Sequence, residues 1–189
     1  MTDAKTKKEA KKEAKKPAEL TIQFPLTNGA KVHAANGLFT FSGNGQTFTK
    51  SYDAKILNIT STNDVVAIKV IGKPTRAKTA QAYSINAHLR NMTKGAAGEY
   101  TKEMQIIFAH FPVTIEVKGK DVFIKNFLGE KQPRMAKIHG NAKIETSGQI
   151  ITIKGHNKED VGQTANNLKR ATKITNKDNR IFQDGIYYS

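Results

Sequence analysis

The chain has 189 residues, 38% of them hydrophobic, which is room for one large domain or two small ones. It holds no cysteine, so disulfides and thiolate metal sites are excluded, and no apolar run approaches the ~18 residues that would cross a bilayer. Thirty-one Lys and Arg stand against sixteen Asp and Glu, a formal net charge of +15 that points to a polyanionic partner.

Residues 1–16, "MTDAKTKKEAKKEAKK", carry seven Lys and three acids with no apolar face. Nothing there offsets the entropy of ordering, so a basic disordered tail is expected, closed by Pro17. A charged start without an apolar segment argues against a secretory signal, and a cysteine-free chain suits the cytoplasm. Basic residues outnumber acidic ones nine to three over 17–96 and fifteen to ten over 97–189. The excess is therefore spread along the chain, as suits a protein touched by a polyanion on several sides.

After the tail the chain repeats itself. Phe24-Pro25 in "QFPLTNGAKVHAANGLFTF" corresponds to Phe111-Pro112 in "HFPVTIEVKGKDVFIKNF". Further on, Gly72, Ala82 and Ile85 fall on Gly155, Ala165 and Leu168. Repetition at this spacing implies a duplicated domain rather than a solenoid. In the first half "LFTFS", "QTFTKSY", "ILNIT" and "VVAIKVI" alternate as strands with one buried face, and "GNG" joins the first two as a hairpin. A helix follows, with Ala82, Ile85, Leu89 and Met92 in one stripe and Gly95 as its expected terminator. The second half offers "TIEVKG", "VFIKN", "AKIET" and "IITIKG", then a helix capped by Asn157 with Glu159 and Asp160 in its first turn. Val161, Ala165, Leu168 and Ala171 or Thr172 form its buried face. The expected fold is α+β: two tandem duplicated domains, 17–96 and 97–189, each a small, mostly antiparallel sheet packed against one helix.

Catalytic patterns are missing. Glu159-Asp160 is the one adjacent carboxylate pair, but neighbours on a helix point about 100° apart and suit capping better than bond cleavage. The five histidines show no zinc spacing, no serine occupies a nucleophile elbow, and the glycines of "SGNGQTF" and "IGKPT" make no nucleotide cradle. No cofactor, metal or small-molecule substrate is expected. An RNA-modifying enzyme or substoichiometric assembly factor using His139 or His156 is the alternative.

The loop "NFLGEKQPR", residues 126–134, stops a strand abruptly. Lys125, Lys131, Arg134 and Lys137 place four cations on and beside it, Gly129 permits a turn and Pro133 stiffens the exit. Rigidly presented cations lose little entropy on meeting phosphates, and Arg134 can make forked contacts. Asn126, Lys154, His156, Lys158, Lys173, Lys177, Arg180 and Lys94 complete the RNA-binding candidates. With no helix-turn-helix, zinc finger or aromatic stacking motif, folded RNA read by shape and backbone fits best.

Three segments in order, "HFPVTIEVKGKDVFIKNFLGE", "GHNKEDVGQTA" and "RIFQDGIYY", with "NMTKG" in the first half, resemble the large-subunit ribosomal protein L-six family in its archaeal and eukaryotic branch. The resemblance covers roughly residues 18 to 189. It implies two copies of a sheet packed on one helix and a non-enzymatic protein of the large ribosomal subunit. It further implies contact with large-subunit rRNA, mainly through the second domain, near the sarcin–ricin region and the base of the lateral stalk, beside other ribosomal proteins. The family's loop falls on Asn126 to Lys131 with Arg134 as its following basic position, and its carboxyl-terminal motif on Asp184 to Tyr187.

Overall fold

The computed structural model describes residues 20–26, 30–62, 65–175, 177–178 and 180–189. The expected tail, residues 1–16, lies outside them. The chain forms two compact units that meet in sequence between Thr93 and Lys94.

In the first unit six strands precede a helix. They are β1 (Thr21–Pro25), β2 (Lys31–Ala35), β3 (Leu38–Gly43), β4 (Gln46–Ser51), β5 (Leu57–Thr62) and β6 (Val65–Val70), followed by α1 (Arg76–Ala97), whose last turn from Lys94 belongs to the second unit. They build two antiparallel sheets, ordered β1-β6-β5 and β2-β3-β4. Alternation decides which faces are buried: Phe39 and Phe41 of β3 and Val66, Ile68 and Val70 of β6 are almost wholly enclosed. Asn36-Gly37 and Asn44-Gly45 turn the β2-β3 and β3-β4 hairpins, with positive φ at all four residues. That is the backbone a two-residue hairpin turn demands, and Asn-Gly tolerates it best.

The second unit repeats the plan. It contains β7 (Tyr100–Ile107), β8 (Thr114–Lys118), β9 (Asp121–Lys125), β10 (Arg134–Lys137), β11 (Lys143–Ser147) and β12 (Ile150–Gly155), then α2 (Lys158–Ala171) and β13 (Gly185–Tyr188). Its sheets run β10-β9-β8 and β11-β12-β7-β13. Strand for strand these orders reproduce the first unit, with β13 added on the open side of β7. The fold is thus α+β and duplicated, as the sequence predicts, except that each unit holds two small sheets instead of one. Phe24-Pro25 ends β1, and Phe111-Pro112 follows β7 at the matching place.

Both helices form for the predicted reasons. Ala82, Ile85, Leu89 and Met92 are buried along α1, and Ala96 extends the same stripe. Gly95 does not end this helix, which runs on to Ala97. Its lack of a side chain serves close packing instead, because a Cβ there would collide with the His156 carbonyl. In α2 the Asn157 side chain accepts the Glu159 N–H at 3.1 Å, and Glu159 and Asp160 occupy the first turn. Val161, Ala165 and Leu168 face a core made by Met104 and Ile106 of β7, Ile151 and Ile153 of β12, Val122 and Ile124 of β9, and Ile186 of β13. Burying each of the larger side chains contributes about 1.5–3 kcal/mol.

Candidate nucleic-acid interface

The loop between β9 and β10 is bent against backbone preference. Asn126 and Leu128 both have positive φ, 59° and 53°, and Gly129 follows at 76°. Non-glycine residues reach this left-handed region at a cost of about 1–2 kcal/mol each, so neighbours must hold the loop in shape. Asn126 donates from Nδ2 to the Pro112 carbonyl at 3.1 Å. Phe127 buries its ring completely. Phe111 lies so close over Gly129 that a Cβ there would come within 3.1–3.4 Å of the ring.

Arg134 is the principal clamp. Its Nε and Nη2 donate to the two Glu130 carboxylate oxygens at 2.8 and 2.6 Å, a forked ion pair. Nη1 donates to the carbonyls of Ala171 and Lys173, each at 3.0 Å, and the guanidinium lies 4.4 Å from the Phe127 ring centroid. The Arg134 hydrogen bond and charge, with Lys177 nearby, hold the Glu130 carboxyl below its ordinary range. The sequence suggested that this guanidinium would fork onto phosphate. In the structure its donors are turned inward, and it fastens the loop to the end of α2.

The remaining candidates fall into distinct states. Lys125 pairs with Glu116 at 3.0 Å, and Lys154 with Glu145 at 2.7 Å. His156 donates from Nδ1 to the Gly95 carbonyl at 2.9 Å and places Nε2 3.5 Å from Glu99. By contrast Lys94, Lys131, Lys137, Lys158 and Lys173 are exposed, and among the described residues none has an ion-pair partner. Lys177 stands 4.5 Å from the Phe182 ring centroid, and the exposed Arg180 donates its backbone N–H to Asp178. The clamp brings Lys131 and Lys173 to the carboxyl end of α2. Lys94, His156 and Lys158 gather at its amino end. The 14-residue helix separates these groups by about 20 Å.

The motif at Asp184 to Tyr187 forms a carboxyl-terminal strand that alternation along the chain does not predict. Asp184 is buried and accepts the Ala109 N–H at 3.0 Å, fastening the start of β13 to the end of β7. Thr172 Oγ1 accepts the Ile186 N–H at 3.1 Å. Beyond them Lys169, Arg170, Tyr187 and Tyr188 line an open cavity of about 440 Å³. The doubled tyrosine in "DGIYY" was the available signal.

His139 is bonded through Nδ1 to Asp160 at 2.9 Å, His156 is bonded to a backbone carbonyl, and the described residues contain no metal-holding cluster. The second unit thus carries one strained, clamped loop and several displayed lysines. The family model described as Ribosomal protein L6 matches residues 111–185. A large ribosomal subunit protein uL6 of Methanosarcina mazei is 40% identical over 167 residues, 88% of this chain and 93% of that one. Its counterpart in Methanobrevibacter smithii is 38% identical over 90% of this chain and 95% of its own, and that of Methanosphaera stadtmanae 44% identical over 73% and 75%. The chain belongs to the ribosomal protein L6 family and is a structural ribosomal component, not an enzyme.

Proposed function

We propose that the chain works in the large subunit of cytoplasmic ribosomes, where residues 97–189 grip rRNA near the sarcin–ricin region and the base of the stalk, beside neighbouring ribosomal proteins. Residues 17–96 form the first repeat and help support the surface on which factors dock. The observation that carries this reading is the clamped loop. Arg134 fixes residues 126–134 before any partner arrives, so Lys131 is offered to phosphate with little entropy left to lose. Lys173 at the same end of α2, and Lys94 and Lys158 at the other, extend the cationic surface. Shape and charge are the means of recognition, as for folded RNA whose deep groove side chains cannot read.

The test is the salt dependence of binding between the purified chain and a large-subunit rRNA fragment. With about seven phosphates neutralised, affinity falls roughly 10³- to 10⁵-fold between 50 and 200 mM salt. Lys131→Glu combined with Lys173→Glu makes that dependence shallower and reduces incorporation into subunits. A flat salt response, or undiminished incorporation of the double variant, refutes the reading.

A further inference from the structure

The cavity between α2 and β13 is lined by Lys173 together with Lys169, Arg170 and two tyrosines. We propose that this groove receives the base of an unpaired RNA nucleotide, stacked on Tyr187, with the adjoining phosphate against Lys169, Arg170 and Lys173. The proposal rests on the rRNA-binding reading and names a site within it.

Four observations lead here. The cavity, about 440 Å³, lies within the ~300–1,000 Å³ of known small-ligand sites. Its walls are fixed by bonds rather than by chance approach: Thr172, in the turn that ends α2, takes the Ile186 N–H of β13, and buried Asp184 anchors the start of the strand. Tyr187 packs against Gly185, where a Cβ would stand 2.9–3.1 Å from the tyrosine's Cε2, Cζ and Oη. Glycine at 185 thus permits the ring's position, and Tyr187 remains 40% exposed. Lastly, the ring of Tyr188 is already occupied by the ammonium groups of Lys102 at 4.2 Å and Lys169 at 5.0 Å, whereas among the described residues no cation stands over Tyr187.

The groove therefore combines an open aromatic face with a cationic rim. A nucleotide carries the complementary pair, a flat π-system and an anion a few bonds away. A base within a duplex already has stacking partners on both sides, so the occupant is unpaired. A polypeptide strand could pair with the edge of β13, but it would leave Lys169, Arg170 and Lys173 unmatched.

The full chain is titrated with two probes: a large-subunit rRNA fragment, and a single-stranded RNA decamer carrying one 2-aminopurine. Tyr187→Leu, which keeps apolar bulk but removes the ring, weakens decamer binding roughly 5- to 100-fold and abolishes 2-aminopurine quenching. Tyr187→Phe retains both, and neither variant changes the slope of affinity against salt. Photo-crosslinking of the unaltered chain to a 4-thiouridine decamer yields an adduct at Tyr187, a readout independent of how the variants fold. Unchanged quenching in Tyr187→Leu, or adducts confined elsewhere, overturns the groove while rRNA binding by the unaltered chain leaves the broader reading standing. Failure of the unaltered chain to bind the rRNA fragment overturns both. Normal RNA binding by Tyr187→Leu with lost incorporation into subunits assigns the groove to a protein neighbour and overturns it too.

Discussion

The hairpin of β3 and β4 and the hairpin of β9 and β10 occupy the same place in the two units, in the middle and at the edge of matching sheets. In the first, two residues, Asn44 and Gly45, make the turn. In the second, eight residues from Asn126 to Pro133 do so, with a buried phenylalanine, three positive φ angles and a clamp. Pairing within both hairpins stays in regular antiparallel register despite the difference. The frame can be copied while its connections diverge, because register is set by alternation along the strands and a longer loop leaves that alternation intact. What distinguishes the units is added at the edges: the long loop, and β13.

The most severe break in that comparison is a core truncation at equivalent positions. Ile85→Ala and Leu168→Ala each remove a buried side chain from the face of a helix, and each costs about 2–5 kcal/mol in unfolding experiments. The two losses should be similar in stability but unequal in rRNA affinity, with Leu168→Ala the more damaging. Equal loss of affinity would show that the first unit carries as much of the contact as the second.

Arg134→Ala tests the added loop alone. It leaves Glu130 and two carbonyls without their donor, which costs about 2 kcal/mol, discounted for the clamp's partial exposure. Arg134→Lys does not restore it, since an ammonium cannot reproduce four directed bonds. Thermal melts should report the lowered stability, and the unaltered β3-β4 hairpin of the same chain serves as the internal standard in hydrogen exchange. If exchange in residues 126–134 is unaffected, the guanidinium is not what shapes the loop.

Acid gives the smallest effect. The depressed Glu130 carboxyl means that its pairing with Arg134 contributes fully above the ordinary carboxylate value of 4.5 and is lost as pH falls below it, through the lowered folded value. Glu130→Gln should flatten that part of the pH–stability curve while leaving stability near neutrality only modestly reduced. Identical curves for the two proteins would place the acid sensitivity elsewhere.

Much of this architecture was legible in the chain. Alternation in "VVAIKVI" and "IITIKG" gave β6 and β12, and apolar stripes at three- and four-residue spacing gave both helices. The strand β7 was harder to see, because Thr101, Lys102 and Glu103 interrupt the apolar signal and only Met104 and Ile106 are buried. At four residues, β13 is too short to announce itself. The loop's cations were visible, but not their use. Glu130 lies four positions before Arg134 and could be paired from spacing, whereas the Ala171 and Lys173 carbonyls lie 37 and 39 positions away and meet Arg134 only through the fold. Charge can be counted from a sequence; its direction depends on what it is packed beside.

Leu128 keeps its left-handed turn only while Phe111, Phe127 and Arg134 press the loop into place. Each time those contacts part, the main chain at that point springs back toward an ordinary conformation, and about 1 kcal/mol is returned to the opened form. The clamp has to outweigh that release, so loss of Arg134 should loosen residues 126–133 first while β9 and β10 remain zipped beneath.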